Sequence, residues 1–287
     1  MPCGDGIFRP LRQERKLSLI DSPGTDFVMT NAMDQKKQFP DGMVPLGNAK
    51  FPFACHSGLS CYTQCCRRQN IFLYPYDIIR LKERLGISSE DFLNKHTGAV
   101  KGPNPFFPSI MLQMAENEEQ TCPFLGDNGC TVYEDRPSAC RTYPLERAVD
   151  RNPAKGQPRE YYFLTDHPYC KGHGEDKEWT VKEWLRDQQL LQYNLMDELW
   201  ADMDTIFATN PWHGEGAAGP RQQVAFMVCY NIDRFRQYVA DFKLLDEFRI
   251  DKQRRRSIDG DDESLLRFGY DWLKLILANI PALKQRR

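Results

Sequence analysis

Nothing in these 287 residues approaches the run of about 20 apolar residues that a membrane-spanning helix needs. The opening stretch, MPCGDGIFRPLRQERK, has no apolar run behind its first charges, so no secretory signal is read there. An excess of one charge is missing as well. Lys and Arg number 38 against 40 Asp and Glu, a formal net charge of −2, which argues against a chain built mainly to bind nucleic acid. Internal repeats, low-complexity blocks, a G-x-G-x-x-G loop and an obvious nucleophile–base pair are also absent. These absences predict a soluble, cytoplasmic protein with no membrane span. Apolar residues make up 41% of the chain, enough for a buried core.

What the chain does hold is cysteine, ten in all. In a reducing compartment so many are poorly explained as structural disulfides, which leaves metal binding or redox chemistry. Eight are clustered: Cys55, Cys61, Cys65 and Cys66 in FACHSGLSCYTQCCRR, Cys122, Cys130 and Cys140 in CPFLGDNGCTVYEDRPSACRTYP, and Cys170 in HPYCKGHG. The other two read differently. Cys229, in VAFMVCYNI, is expected as a small buried hydrophobe inside a helix, and Cys3 as a bystander near the terminus.

Eight is twice four, and four thiolates complete either a tetrahedral zinc site or a [4Fe–4S] cluster. Adjacent side chains diverge in a strand and in a helix alike, so Cys65 and Cys66 rarely serve one compact centre. Either they reach into two different sites or only one is a ligand. Two four-cysteine sites sharing this segment would use all eight. Thiolate clusters carry negative charge, and Arg67, Arg136 and Arg141, placed beside the cysteines in sequence, are candidates to contact the cofactor and tune it. Imidazole offers a further ligand: His56 adjoins Cys55, and His167, Cys170 and His173 form H-x2-C-x2-H. The plainer reading makes these loop histidines. Likewise Tyr62, Tyr133, Glu134 and Tyr143 could line an open iron position, but packing beside the thiols is the preferred role.

Around the cysteines the pattern predicts a mainly α protein with small irregular and β elements, a loop-rich cysteine-cluster domain packed on a C-terminal helical bundle. Three parts are expected: an extended arm over 1–49, a metal-binding domain over 50–179 and a helical region over 180–287. A helix is read from Tyr76 to Leu85 with Gly86 as its cap, and a second behind Ser88 or Ser89. Strands are read over 110–114 and 160–164. Pro137 opens a short helix that carries Cys140 about one turn in. Thr180 and Glu183 have capping-box spacing, with Trp184, Leu191, Leu195, Leu199 and Met203 behind them as an apolar face. Further helices are read over 222–248 and 262–280, the latter capped by Ser264 or Asp261. The basic run Arg249, Lys252, Arg254, Arg255 and Arg256 reads as a solvated loop between them.

The three cysteine runs, with the intervening YPYDIIRLKERLGISSEDFLNKH, resemble the YkgJ-type cysteine-cluster family, the CxxCxxCC domain described as zinc- or iron-chelating. The resemblance covers about residues 50–175. Its most specific part is C-P-F-L, then G-C-x-V-Y, then R-P-x-x-C-R-x-Y-P. The opening departs from the pattern: the family's first cysteines are usually closer, as C-x2-C, whereas five residues separate Cys55 from Cys61. One branch of the family is similar to flagellin lysine-N-methylases, which implies methyl transfer from S-adenosylmethionine as an alternative. The radical C-x3-C-x2-C motif is broken here, since Cys66 directly follows Cys65. The expected function is an iron–sulfur protein, with two [4Fe–4S] centres, that transfers electrons or supports a protein redox partner. A structural zinc protein is the other alternative.

Overall fold

The structure, a computed structural model, describes residues 39, 43–151 and 158–286. Most of the expected N-terminal arm, Cys3 included, lies outside the described residues. The fold is mainly α, with small antiparallel sheets of two or three strands.

β1 (Lys50–Pro52) and the short β2 (Phe72–Leu73) precede α1 (Pro75–Leu85). Pro75 suits the first helical turn because its missing N–H would have no partner there. The Asp77 carboxylate accepts the Tyr74 N–H at 2.9 Å. Gly86, at φ 64°, ends the helix in the left-handed conformation that glycine adopts without strain. α2 (Ser89–His96) is capped by the Ser88 hydroxyl, which accepts the Asp91 N–H at 3.0 Å. β3 (Thr97–Val100) and β4 (Ser109–Leu112) complete a sheet in the order β2-β4-β3. A tight hairpin, β5 (Leu125–Gly126) and β6 (Gly129–Cys130), turns on Gly129 at φ 111°. α3 (Ser138–Thr142) follows Pro137. β7 (Leu145–Asp150) and β8 (Arg159–Leu164) pair antiparallel, and β9 (Glu178–Thr180) returns to pair with β1, setting Phe51 opposite Trp179.

The remaining helices are α4 (Val181–Asp187), α5 (Leu190–Ala208), α6 (Pro220–Tyr230), α7 (Ile232–Asp241), α8 (Lys252–Gly260) and α9 (Asp262–Ala278). Three sequence expectations need correction here. The apolar face drawn through Leu191 and Leu195 slips out of phase because Gln189, at φ 53°, breaks the helix between α4 and α5. Leu191 and Leu195 are left exposed, and Leu190, Tyr193, Met196, Trp200, Met203 and Phe207 face the core instead. The single helix over 222–248 is interrupted at Asn231. Its side chain caps α7 by accepting the Arg234 N–H, and it also takes a bond from the Ser89 hydroxyl at 2.8 Å. An amide that satisfies the backbone this way competes with helix continuation. From Lys252 onward the basic run is not a loop but α8, capped by Asp251, with Arg254 paired to Asp271 and Arg255 to Asp246, each at 2.6 Å. Asp261, not Ser264, caps α9.

α9 runs through the main core. Leu265, Leu266, Phe268, Trp272 and Leu273 are buried in a cluster that takes in Ile78, Leu81 and Phe92 from α1 and α2 and Ile110 and Leu112 from β4. Gly269 is required by this packing: a Cβ there would lie 2.5 Å from the Val228 side chain and 2.9 Å from Phe235. A second, smaller cluster gathers Phe51, Phe53, Leu145, Tyr162, Trp184, Leu185 and Leu190. No helix among the described residues is long and apolar enough to cross a membrane.

Candidate metal centre

Two backbone ladders bring the eight clustered cysteines into two neighbouring groups. In the first, the stretch behind β1 lies along the turn that follows Cys170. The Phe53 N–H donates to the Lys177 carbonyl at 2.8 Å and the Ala54 N–H to the Gly172 carbonyl at 3.1 Å. Gly172 allows this approach, since a Cβ on it would meet the Ala54 carbonyl at 2.7 Å. Cys55 is thereby set near Cys170. The Lys171 N–H donates to Cys61 Sγ at 3.1 Å. Burial pushes the Cys55 thiol up to about 11, reinforced by Cys65, Cys170 and Cys61 around it.

In the second group, the Cys122 N–H donates to the Cys66 carbonyl at 2.8 Å, and Arg67 bridges to Thr121 beside it. The register of the hairpin sets Cys130 opposite Leu125, whose N–H donates to the Cys122 carbonyl. Tyr62 reaches across to the Asn128 carbonyl at 3.3 Å, over the hairpin's Gly129. α3 brings in Cys140. Burial raises its thiol to about 12, with Cys122 the next cause and Cys65 and Cys130 also contributing. Burial likewise raises Cys122 and Cys130, each opposed by a backbone N–H, from Phe124 and Val132 respectively.

Cys65 and Cys66 join the groups. They occupy a single 3-10 turn, Gln64–Cys66, rather than the strand or α-helix weighed from sequence. Their thiols are hydrogen-bonded to each other. That bond, from Cys66, is the main cause lowering Cys65 to about 7, and it pushes Cys66 far up. Cys65 is felt by Cys55 in one group and by Cys66 and Cys140 in the other. All eight clustered thiols are free of disulfides and at least partly exposed, while Cys229 is free but buried, as read from sequence. Six of them, Cys55, Cys65, Cys66, Cys122, Cys130 and Cys140, are thus accessible to solvent and yet desolvated by the protein around them. Among the described residues, no three His, Cys, Asp or Glu side chains already stand around one point at metal-bonding geometry.

The three arginines part company. Arg136 lies over the Tyr133 ring at 3.8 Å and lowers Cys55, Cys65 and Cys130, so its charge acts on both groups. Arg67, held by the Thr63 carbonyl at 2.8 Å, lowers Cys65. Arg141 is turned to other work. It is buried, donates to the Gln188 carbonyl at 2.5 Å and to the Glu134 carbonyl, and lies over Tyr193 at 4.7 Å. The histidine rings have partners of their own. His56 pairs with Glu175 at 3.1 Å and accepts the Gly58 N–H. His173 meets the Tyr143 hydroxyl at 3.2 Å. His167 stacks between Tyr143 and Tyr169.

Sequence reading missed the amide donors of Lys171, Phe124 and Val132. The last two follow their cysteines by two residues, a spacing that could have been noticed. It also missed Asp77, which is fully buried behind α3. Asp77 accepts the Ser138 N–H at 2.8 Å and is raised to about 6, chiefly by burial.

The chemistry of this donor set is that of a soft-metal site: many thiols, backbone N–H groups aimed at sulfur, and a cation beside them. Residues 54–171 match the model of the CxxCxxCC family. Its description is "putative zinc- or iron-chelating domain". The CxxCxxCC segment begins one residue before Cys55 and ends one after Cys170, so it takes in all eight clustered thiols and leaves out Cys3 and Cys229. No curated protein and no solved structure matches the chain.

Proposed function

We propose that this chain holds two four-thiolate centres, Cys55/Cys61/Cys65/Cys170 and Cys66/Cys122/Cys130/Cys140, each taking a [4Fe–4S] cluster, and passes electrons to a protein partner in a reducing compartment. The observation that carries the reading is the convergence of two backbone ladders on the vicinal pair Cys65–Cys66, which leaves three thiols on either side of the pair and four in each group once the pair is divided. A bound cluster of this type supplies one-electron transfer. The protein's share is to hold the thiols, donate N–H groups to sulfur and place Arg136 where its charge offsets that of both centres. A zinc staple is less needed here because the chain already buries an extensive apolar core. Tyr133 and Tyr169, both exposed, stand beside the thiol groups and offer a partner an aromatic rim.

Purification without oxygen, followed by a visible spectrum and analysis for iron, zinc and sulfide, tests the reading. A brown protein with about eight irons and about eight sulfides per chain is expected. Zinc without sulfide would discard the cluster reading and leave a zinc-binding domain. Iron without sulfide would indicate an open non-haem iron site, and an enzyme would then be sought.

A further inference from the structure

On the other side of α3 from the thiols lies a cleft of about 670 Å³, the size of a small-ligand site. Ser138, Ala139 and Thr142 of α3 line it, and α5 forms its long wall. The charges in this wall are not balanced. Arg147 is taken up by Glu160 and Glu198, each at 2.6 Å, and Arg151 by Glu198 at 2.5 Å and Asp202 at 2.9 Å. Among the described residues no ion pair reaches Asp197 or Asp204, although Arg147, its Nε unpartnered, acts on Asp197 from β7. Asp197 Oδ1 is inaccessible to solvent and has no hydrogen-bond partner. Among the described residues Asp204 receives only the Asn104 amide, at 2.8 Å from its Oδ1 and 3.0 Å from its carbonyl.

The spacing of the two acids is informative. Asp197 and Asp204 are seven residues apart on α5, two helical turns, and so lie on one face about 10 Å apart along the axis. Trp200 and Ala201 stand between them on the same helix, and Phe72 and Tyr74 also line the cleft. Two carboxyl groups separated by an aromatic, apolar stretch complement a ligand with two cationic ends and an aliphatic middle, Asp197 giving up its proton as an ammonium group docks. Aromatic faces favour ammonium groups as well as methylenes.

We infer that this cleft binds a linear polyamine, its ammonium groups paired with Asp197 and Asp204 and its methylene chain lying across Trp200. The environment of Asp197 is consistent with this. Burial first, and then the neighbouring Asp77, raise it to about 8. The neighbouring Tyr74 hydroxyl is raised by burial and then by Asp197, Asp77 and Asp204. Arg147 offsets these acids only in part, since burial and Asp77 outweigh it at Asp197. The site is independent of which metal the thiols hold.

Titration calorimetry of the full, metal-replete chain with spermidine tests the inference, with 1,8-octanediol as a neutral chain of similar length and butylamine as a single-charge control. Spermidine is expected to bind one to one, with the diol and the monoamine at least tenfold weaker. Asp197→Asn and Asp204→Asn should each weaken spermidine at least tenfold. Asp197→Asn keeps the shape and places a neutral group where the folded chain already holds a protonated carboxyl, so it should fold. As a second readout, spermidine should raise the Tm of the parent chain but not that of Asp197→Asn. No heat at 1 mM spermidine, equal binding of the diol, or an affinity unchanged in Asp197→Asn would each overturn the site. The last would show that the polycation rests on the outer surface.

Discussion

Cys122 and Cys130 pack against the large apolar cluster that runs through α1, α2, α5, α6, α7 and α9, whereas Cys170 packs against the small one built on Phe51, Phe53 and Trp184. The two thiol groups share a segment and a chemistry but rest on unequal supports. The second group's hairpin and α3 are backed by a core that would persist without any metal. The first is held by a two-strand pairing, β1 with β9, and by the turn behind Cys170. Burial of apolar area stabilises by about 25 cal/mol per Å², so the smaller cluster has less with which to offset the entropy of its loops. A metal bound at the first group would therefore contribute more to local order, and its loss would be felt more.

The largest expected effect comes from removing ligands. In zinc-finger peptides a bound structural metal contributes about 10–16 kcal/mol to folding, and the part of the chain with least core depends on it most. Cys170→Ser and Cys122→Ser should each lose about half of the bound metal. Amide exchange separates them. Cys170→Ser should raise exchange around 43–62 and 165–180 and leave α5 to α9 protected. Cys122→Ser should leave both regions closer to the parent. Equal exchange changes in the two variants would erase the distinction between the groups. Cys65→Ser and Cys66→Ser sharpen it: each should remove about half of the metal. If one removed all and the other none, the two-centre partition would be wrong.

Core substitutions come next. Phe268→Ala, in the large cluster, should cost about 3–5 kcal/mol in denaturant unfolding. Phe51→Ala removes an equally buried ring from the small cluster, in T-shaped contact with Trp184 at 6.1 Å. It should cost less globally, because its surroundings can open without unfolding α9. A Phe51→Ala cost equal to that of Phe268→Ala would mean that the two clusters unfold as one.

Asp197→Asn probes the seam between α3 and α5 and should stabilise. Asp197 is faced by Asp77 from α1, Arg147 from β7 and Glu198 from its own helix. Its carboxyl is raised from an ordinary value near 4 to about 8, so the folded chain keeps a proton that the unfolded chain has lost between those limits. Stability of the parent therefore falls as pH rises through that window, while that of the asparagine variant does not. The variant should match the parent near pH 4 and exceed it by several kcal/mol at pH 8, at about 1.4 kcal/mol for each pH unit of the window. A difference independent of pH would remove the titration from the account.

Local signals carried much of this fold. Pro75, Gly86, Ser88 and the Thr180–Glu183 box mark element ends in the sequence because each acts through its own neighbours. The reading failed where a distant partner decides. Asn231 breaks a periodic run because Ser89, far away in the chain, holds its side chain. Leu191 and Leu195 look like core until the turn at Gln189 rotates the helix. At the site, the density of cysteines was legible, but their grouping was not, since it depends on the pairing of 66 with 122 and of 54 with 172. Arg136 and Arg141 look alike in sequence, both near Cys140. Only the packing of α3 shows one acting on the thiols and the other spent on the Gln188 and Glu134 carbonyls and the Tyr193 ring.

The smallest effect is expected at the seam between the small cluster and its helix. The Thr180 hydroxyl accepts the Glu183 N–H at 3.3 Å, and the Glu183 carboxylate accepts the Thr180 N–H at 2.8 Å. The same residue ends β9, so the box ties the β1–β9 pairing to Trp184. Thr180→Ala removes the cap and should cost about 1 kcal/mol. Where that cost appears matters more than its size. If the small cluster opens by itself, the substitution should speed amide exchange in β1, β9 and α4 with almost no change in the global transition. The Thr180 amide and hydroxyl hold the Glu183 carboxyl below its ordinary value, so this contribution is present at neutral pH and is lost as pH falls and the carboxyl protonates. A global shift that persists unchanged in acid would instead join β1, β9 and α4 to the main core, and the first thiol group would then need no metal to stay in place.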